Sequence, residues 1–95
     1  MTITQLNYVI AVDTHRHFGR AAEACFITQP TLSMQIQKLE DELSVILFDR
    51  QKHPIEPTPI GTQIIAQARI VVREAEKLEQ QAQAATGAIK GTFNL

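Results

Sequence analysis

Residues 25–40 read CFITQPTLSMQIQKLE. Leu32, Ile36, Leu39 and, just past this stretch, Leu43 recur at i, i+4, i+7 and i+11, the apolar stripe of an amphipathic α-helix. Thr28 is the expected N-cap. Pro30 is tolerated because the first turn of a helix has N–H groups without intrahelical partners. The side away from the stripe collects Gln29, Pro30, Ser33, Met34, Gln37 and Lys38. Met34 stands out there as a large apolar residue among polar ones.

Upstream, Thr2 followed by Gln5 has capping-box spacing, and Leu6, Val9 and Ile10 begin a first helical stripe. Phe18, Ala21, Ala22 and Cys25 form a second at i, i+3, i+4 and i+7, with Gly19 the expected N-cap. Only Phe26, Ile27 and Thr28 separate this helix from the next, so the pair reads as a helix-turn-helix corner. The competing reading is a structural three-helix bundle with a merely solvated outer face.

Downstream, ILFDR (46–50) and PIEPT (54–58) are short extended candidates joined by Gln51, Lys52 and His53. Pro54, Pro57 and Pro59 exclude a helix across them and confine a strand to an edge. A two-stranded hairpin, or wing, is expected. Thr58-Pro59 then has the pattern of a cap followed by proline at the first helical position. Ile64, Ala68, Val71, Ala75, Leu78, Ala82 and Ala85 follow with alternating spacings of four and three, a heptad seam expected to pair two long helices. Ile65 and Val72 lie off the seam and are placed to clamp the helix to the winged domain or to a partner. TGAIKGTFNL (86–95) is expected to end the helix at its glycines. The expected architecture is mainly α: a winged helix-turn-helix over 1–58, with three helices and a two-stranded wing, a linker helix over 59–86, and a hinge over 87–95.

The 95 residues bound one small domain with an appended helix, and 44% apolar residues suffice for a core. Aromatics are 5% with no tryptophan, so Leu, Ile, Val and Ala must build it. No apolar run approaches the ~20 residues of a membrane span, and the N-terminal stretch lacks a secretory pattern. A single cysteine forms no intrachain disulfide, which agrees with a reducing cytoplasm. Formal net charge is −1, and residues 1–60 hold five Lys/Arg against seven Asp/Glu. Nucleic-acid binders are commonly basic, so useful affinity here would require a dimer.

On the DNA reading, Gln29, Ser33 and Gln37 can bond base edges, Met34 can meet a thymine methyl, and Lys38 can reach phosphate. Arg20 falls in the first turn of the second helix, where a cation costs about 0.3–1 kcal/mol unless an anion docks nearby. Arg50, Lys52 and His53 are expected at the wing tip, against the DNA backbone or a minor groove. Glu40, Asp41 and Glu42 are read as a solvated face turned away from DNA. Cys25 is read as an inert core thiol. His15, His17 and His53 have no ligand spacing with it, so no metal site is expected. No phosphate loop, nucleophile elbow or carboxylate pair is present, so neither an enzyme nor a cofactor is expected.

The ordered set Phe18, Ala21-Ala22, Gln29-Pro30-Thr31-Leu32-Ser33, Leu39-Glu40, Leu47-Phe48-Asp49-Arg50 and Thr58/Gly61 resembles the N-terminal domain of LysR-type transcriptional regulators. The resemblance covers essentially the whole chain. HRHF, Cys25, TQPTLS and KLEDEL are most similar to the peroxide-sensing branch of that family. It implies antiparallel pairing of linker helices through Ile64, Ala68, Val71, Ala75, Leu78 and Ala82. It also implies tetramers at full length, interrupted palindromes near promoters as targets, and a C-terminal sensing domain. Base reading maps onto Gln29, Pro30, Ser33 and Met34, and backbone or wing contacts map onto Thr31, Lys38, Arg50, Lys52 and His53. The sequence departs from the family pattern at Met34, where a polar or very small residue is expected, and in the proline-rich wing. The alternatives are a family member responding to a metabolite, a protein-interaction module centred on Met34, and a thiol sensor centred on Cys25.

Overall fold

The computed structural model describes the backbone of residues 1–93 and the side chains of residues 1–86. Helices α1 (Ile3–His15), α2 (Phe18–Ala24) and α3 (Gln29–Leu43) precede strands β1 (Phe48–Asp49) and β2 (Glu56–Pro57), and α4 (Pro59–Phe93) follows. The strands pair antiparallel, with Phe48 opposite Pro57 and Asp49 opposite Glu56. This is the winged helix-turn-helix with a long appended helix. The strands are shorter than the five-residue candidates, and α4 runs through Gly87 and Gly91 instead of ending at them.

The caps account for the starts of the helices. Thr2 and Gln5 form the reciprocal capping box, with both bonds at 3.0 Å. The Thr28 hydroxyl accepts from Thr31 N–H. Thr58 Oγ1 accepts from Gly61 N–H at 2.9 Å while donating to the Ile46 carbonyl. The start of α2 differs from expectation. His17, not Gly19, is the N-cap, and its Nδ1 accepts from Arg20 N–H at 3.0 Å. Gly19 instead leaves room for that imidazole, since a Cβ there would lie 2.9 Å from His17 Cε1.

Leu6, Val9 and Val12 of α1, Phe18 and Ala21 of α2, and Leu32, Ile36 and Leu39 of α3 meet Leu47, Phe48, Ile65 and Ala68 in one core. Phe18 and Phe48 stack edge-to-face with centroids 6.5 Å apart. Gln5 Nε2 donates to Gln35 Oε1, tying α1 to α3 above the core. Cys25 is a correction: it caps α2 at its C-terminus and is half-buried rather than part of the core.

The heptad seam of α4 is divided. Its first turns lie on α1, held by Arg69, whose Nη2 is 2.7 Å from Asp13 Oδ2. Ala68 is 3% exposed in this chain's own core, so it is not free for a second chain, and Ile64 and Val71 are partly occupied in the same way. The clamp expected of Ile65 and Val72 is present. From Ala75 onward the stripe is progressively uncovered: Leu78 is 67% exposed, and Ala82 and Ala85 are exposed.

Glu40 is the second correction. Expected on a solvated face, it is 6% exposed. Its Oε2 accepts from Leu47 N–H at 2.7 Å, and its Oε1 lies 3.3 Å from Arg50 Nη2. Arg50 Nη1 donates to Ser33 Oγ at 3.2 Å, and the guanidinium sits 4.9 Å above the Phe18 ring. Asp41 and Glu42 are exposed, as expected.

Substitutions at two positions test this framework. A Cβ on Gly61 would overlap the Leu47 backbone carbonyl. Gly61→Ala should therefore destabilise the domain by about 1–3 kcal/mol, read as a lower Tm by circular dichroism. Glu40→Ala strands a buried N–H and a half-buried guanidinium and should cost about 2–3 kcal/mol. Glu40→Gln, which keeps an acceptor, should cost less in the same melt. Equal stability of Glu40→Ala and wild type would show that the buried bridge contributes nothing.

Candidate nucleic-acid interface

The tight corner between α2 and α3 rests on Phe26, which takes a left-handed conformation at φ 60°. That turn lets Ile27 N–H reach back to the Ala22 carbonyl at 3.1 Å. Left-handed geometry is uncommon for a bulky residue, and here it throws the ring outward to 94% exposure. The tight corner was legible in sequence, although α2 stops at Ala24 and residues 25–28, one more than expected, connect the helices; the exposed ring was not legible.

Beyond the corner, α3 presents the predicted face. Gln29, Pro30, Met34, Gln37 and Lys38 are exposed, Met34 by 48%, while Thr31 and Ser33 are half-buried. The helix is rigidly set because its other side, Leu32, Ile36 and Leu39, is fully buried. Thr31 Oγ1 accepts from the Thr28 hydroxyl at 2.8 Å, and Ser33 Oγ accepts from Arg50, which leaves the Ser33 proton available to a ligand.

A cleft of about 690 Å³ opens between the start of α2, the α3 face and the wing. It brings together Arg20, Gln29, Ser33, Arg50 and His53 from the predicted set. His15, Arg16 and His17 also line it, contributed by the α1–α2 junction. Of these, Arg16 and His17 stand out in sequence beside Arg20 as neighbours of an anion at the start of α2, whereas His15 carried no binding reading. Met34, Gln37 and Lys38 lie farther along α3, outside the cleft. Lys52 is at the wing tip, 3.5 Å from Glu56 with both side chains more than half exposed.

The electrostatics differ from a count of cations. Arg50 is no free wing-tip charge, because Glu40 and Ser33 hold it beside α3. Arg16 is engaged by Asp13 at 3.1 Å. Arg20 and Lys38 are the arginine and lysine of this face without a carboxylate partner among the described residues. Burial pushes the Cys25 thiol up, away from the thiolate that a reactive cysteine needs. No group of His, Cys, Asp and Glu suited to a metal occurs among the described residues. No described helix is long and apolar enough to cross a membrane.

Comparison with known proteins gives this surface its context. The model of the bacterial regulatory helix-turn-helix protein, lysR family, matches residues 3–62. The hydrogen peroxide-inducible genes activator of Dickeya chrysanthemi is 43% identical over 95 residues, all of this chain and 31% of that protein. The DNA-binding transcriptional dual regulator OxyR of Escherichia coli K12 is 48% identical over 82 residues, 86% of this chain and 27% of that one. The chain thus spans about three-tenths of the length of these relatives. Among solved structures, a full-length OxyR variant from Pseudomonas aeruginosa matches with a TM-score of 0.85 at 48% identity, over 88% of this chain and 28% of that one. The BenM DNA-binding domain in complex with benA site DNA matches with a TM-score of 0.87 at 31% identity, over 90% and 97% of the two chains. By motif, fold and sequence, the chain belongs to the LysR family of bacterial regulatory helix-turn-helix proteins.

Proposed function

We propose that this chain is the sequence-specific double-stranded-DNA-binding part of an OxyR-like, peroxide-responsive transcriptional regulator acting in the cytoplasm. The observation that carries the reading is the rigid α3 face, exposed and polar around Met34, on the framework also found in the DNA-bound BenM domain. In this reading α3 enters the major groove. Gln29, Pro30, Ser33, Met34 and Gln37 meet base edges. Arg20, Thr31, Lys38, Lys52 and His53 meet the backbone, and Arg50 both orients Ser33 and faces phosphate. Residues 1–58 form the DNA-binding unit, 59–86 the linker, and 87–95, whose side chains lie outside the described residues, a hinge to a sensing domain.

With so few unpaired cations, one domain binds weakly, and two half-sites on an interrupted palindrome supply the remaining affinity. The dimer forms through the uncovered part of α4, where Leu78 is the largest exposed apolar side chain among the described residues, flanked along the stripe by Ala75 and Ala82. At full length such dimers pair into tetramers. The 94% exposure of Phe26 favours a second reading, a protein-interaction module. Salt separates the two, since phosphate contacts weaken steeply as salt rises and an apolar protein contact does not.

Fluorescence anisotropy on an interrupted-palindrome duplex and a scrambled duplex, across a salt series, tests the reading. Lys38→Ala should weaken both complexes and reduce the salt slope by about one contact. Met34→Ala should lose about 1–3 kcal/mol of the preference for the palindrome. Leu78→Asp should abolish dimers in sedimentation and, with them, tight binding to the palindrome. Negligible binding to either duplex at low salt would overturn the proposal and favour the protein-interaction reading.

A further inference from the structure

The cleft beside α3 contains a charge reserve that recognition by α3 does not use. His15 ends α1 and His53 sits in the wing; both are exposed and both line the cleft. His17 also lines the cleft but has another task. Its Nδ1 accepts the α2 capping bond from Arg20 N–H, so that nitrogen is committed to the cap. The cleft arginines Arg16 and Arg50 are engaged by Asp13 and Glu40, which leaves Arg20 as the unpaired arginine.

We propose, resting on the DNA-binding reading above, that His15 and His53 are proton-linked contacts to DNA phosphates, so that operator affinity rises as pH falls. Imidazole is the side chain that changes charge between about pH 5 and 8. Around these imidazoles the cleft presents Arg16 at the end of α1, Arg20 of α2 and Arg50 of the wing. Glu56 on β2 also lines the cleft but is shared with Lys52, and Asp13 is shared between Arg16 and Arg69. From α3 the cleft receives only the neutral Gln29 and Ser33. A phosphate docked in the cleft favours the imidazolium form, because a nearby opposite charge stabilises it. The bound state then holds more protons than the free state, and Kd falls as pH falls. Each imidazolium also adds a phosphate contact, so the salt slope should steepen by about 0.9 per histidine at low pH.

Anisotropy titrations of the 95-residue chain on the palindrome duplex, at constant ionic strength between about pH 6 and 8, test this. For wild type, Kd should fall by about tenfold or more toward the acid end. His15→Gln and His53→Gln should each flatten that response, and the double variant should remove it. His17→Asn, which retains a capping acceptor, should keep it. Imidazole NMR titration of the wild-type chain needs no variant: bound duplex should move the His15 and His53 midpoints upward. Unmoved midpoints, or a pH response that survives in the double variant, would overturn the assignment. Wild-type affinity that stays flat with pH while the palindrome remains bound would overturn the proton linkage and leave DNA recognition standing; absence of binding at every pH removes both.

Discussion

The carboxylate of Glu40 is the constraint on which the recognition surface depends. Removing an ionised carboxylate from water costs several kcal/mol unless both oxygens find strong donors. Here one oxygen takes the Leu47 N–H and the other faces Arg50, so the chain leaving α3 must turn back at a fixed point and enter β1. Arg50 extends the constraint outward, reaching Ser33 on α3 and covering the Phe18 ring on α2. A single buried charge thereby sets three elements relative to one another, including the angle between the exposed helix face and the wing.

The same arrangement explains how a slightly acidic domain can suit a polyanionic ligand. Several of its cations are structural: Arg50 holds α3 to the wing, and Arg16 and Arg69 converge on Asp13 to lock the end of α1 to α4. Attraction at long range is weak, so discrimination falls to short-range contacts from Gln29, Ser33, Met34 and Gln37. A surface of this kind favours two copies acting together, because each contributes specificity but little electrostatic affinity.

Helix α4 serves two purposes along one stripe. Its first turns complete the core through Ile65 and Ala68, and only the later turns are open to another chain. The Asp13–Arg69 bridge marks where the first role gives way to the second. A displacement of the outer helix would therefore act on the junction that also positions Arg16, whose carbonyl accepts from Ile55 N–H in the wing.

Local chemistry was legible in the amino-acid order. Leu32, Ile36 and Leu39 announced α3, the caps at Thr2, Thr28 and Thr58 marked helix starts, and the prolines confined the wing. Each of these depends on neighbours within about one turn of helix. The exposed set around Met34 followed from the same periodicity, being what the buried stripe leaves over. The pairing of Glu40 with Arg50 and the place of His15 in the cleft were not legible, because their environments depend on how separate elements meet. An acidic residue beside Asp41 and Glu42 looks solvated until the fold brings Leu47 N–H against it. The seam of α4 shows the same limit: spacing identified a stripe that needs a partner, but only packing decided that Ala68 finds one in its own chain while Leu78 does not. Periodicity specifies which face of a helix avoids water, whereas the three-dimensional arrangement determines what covers it.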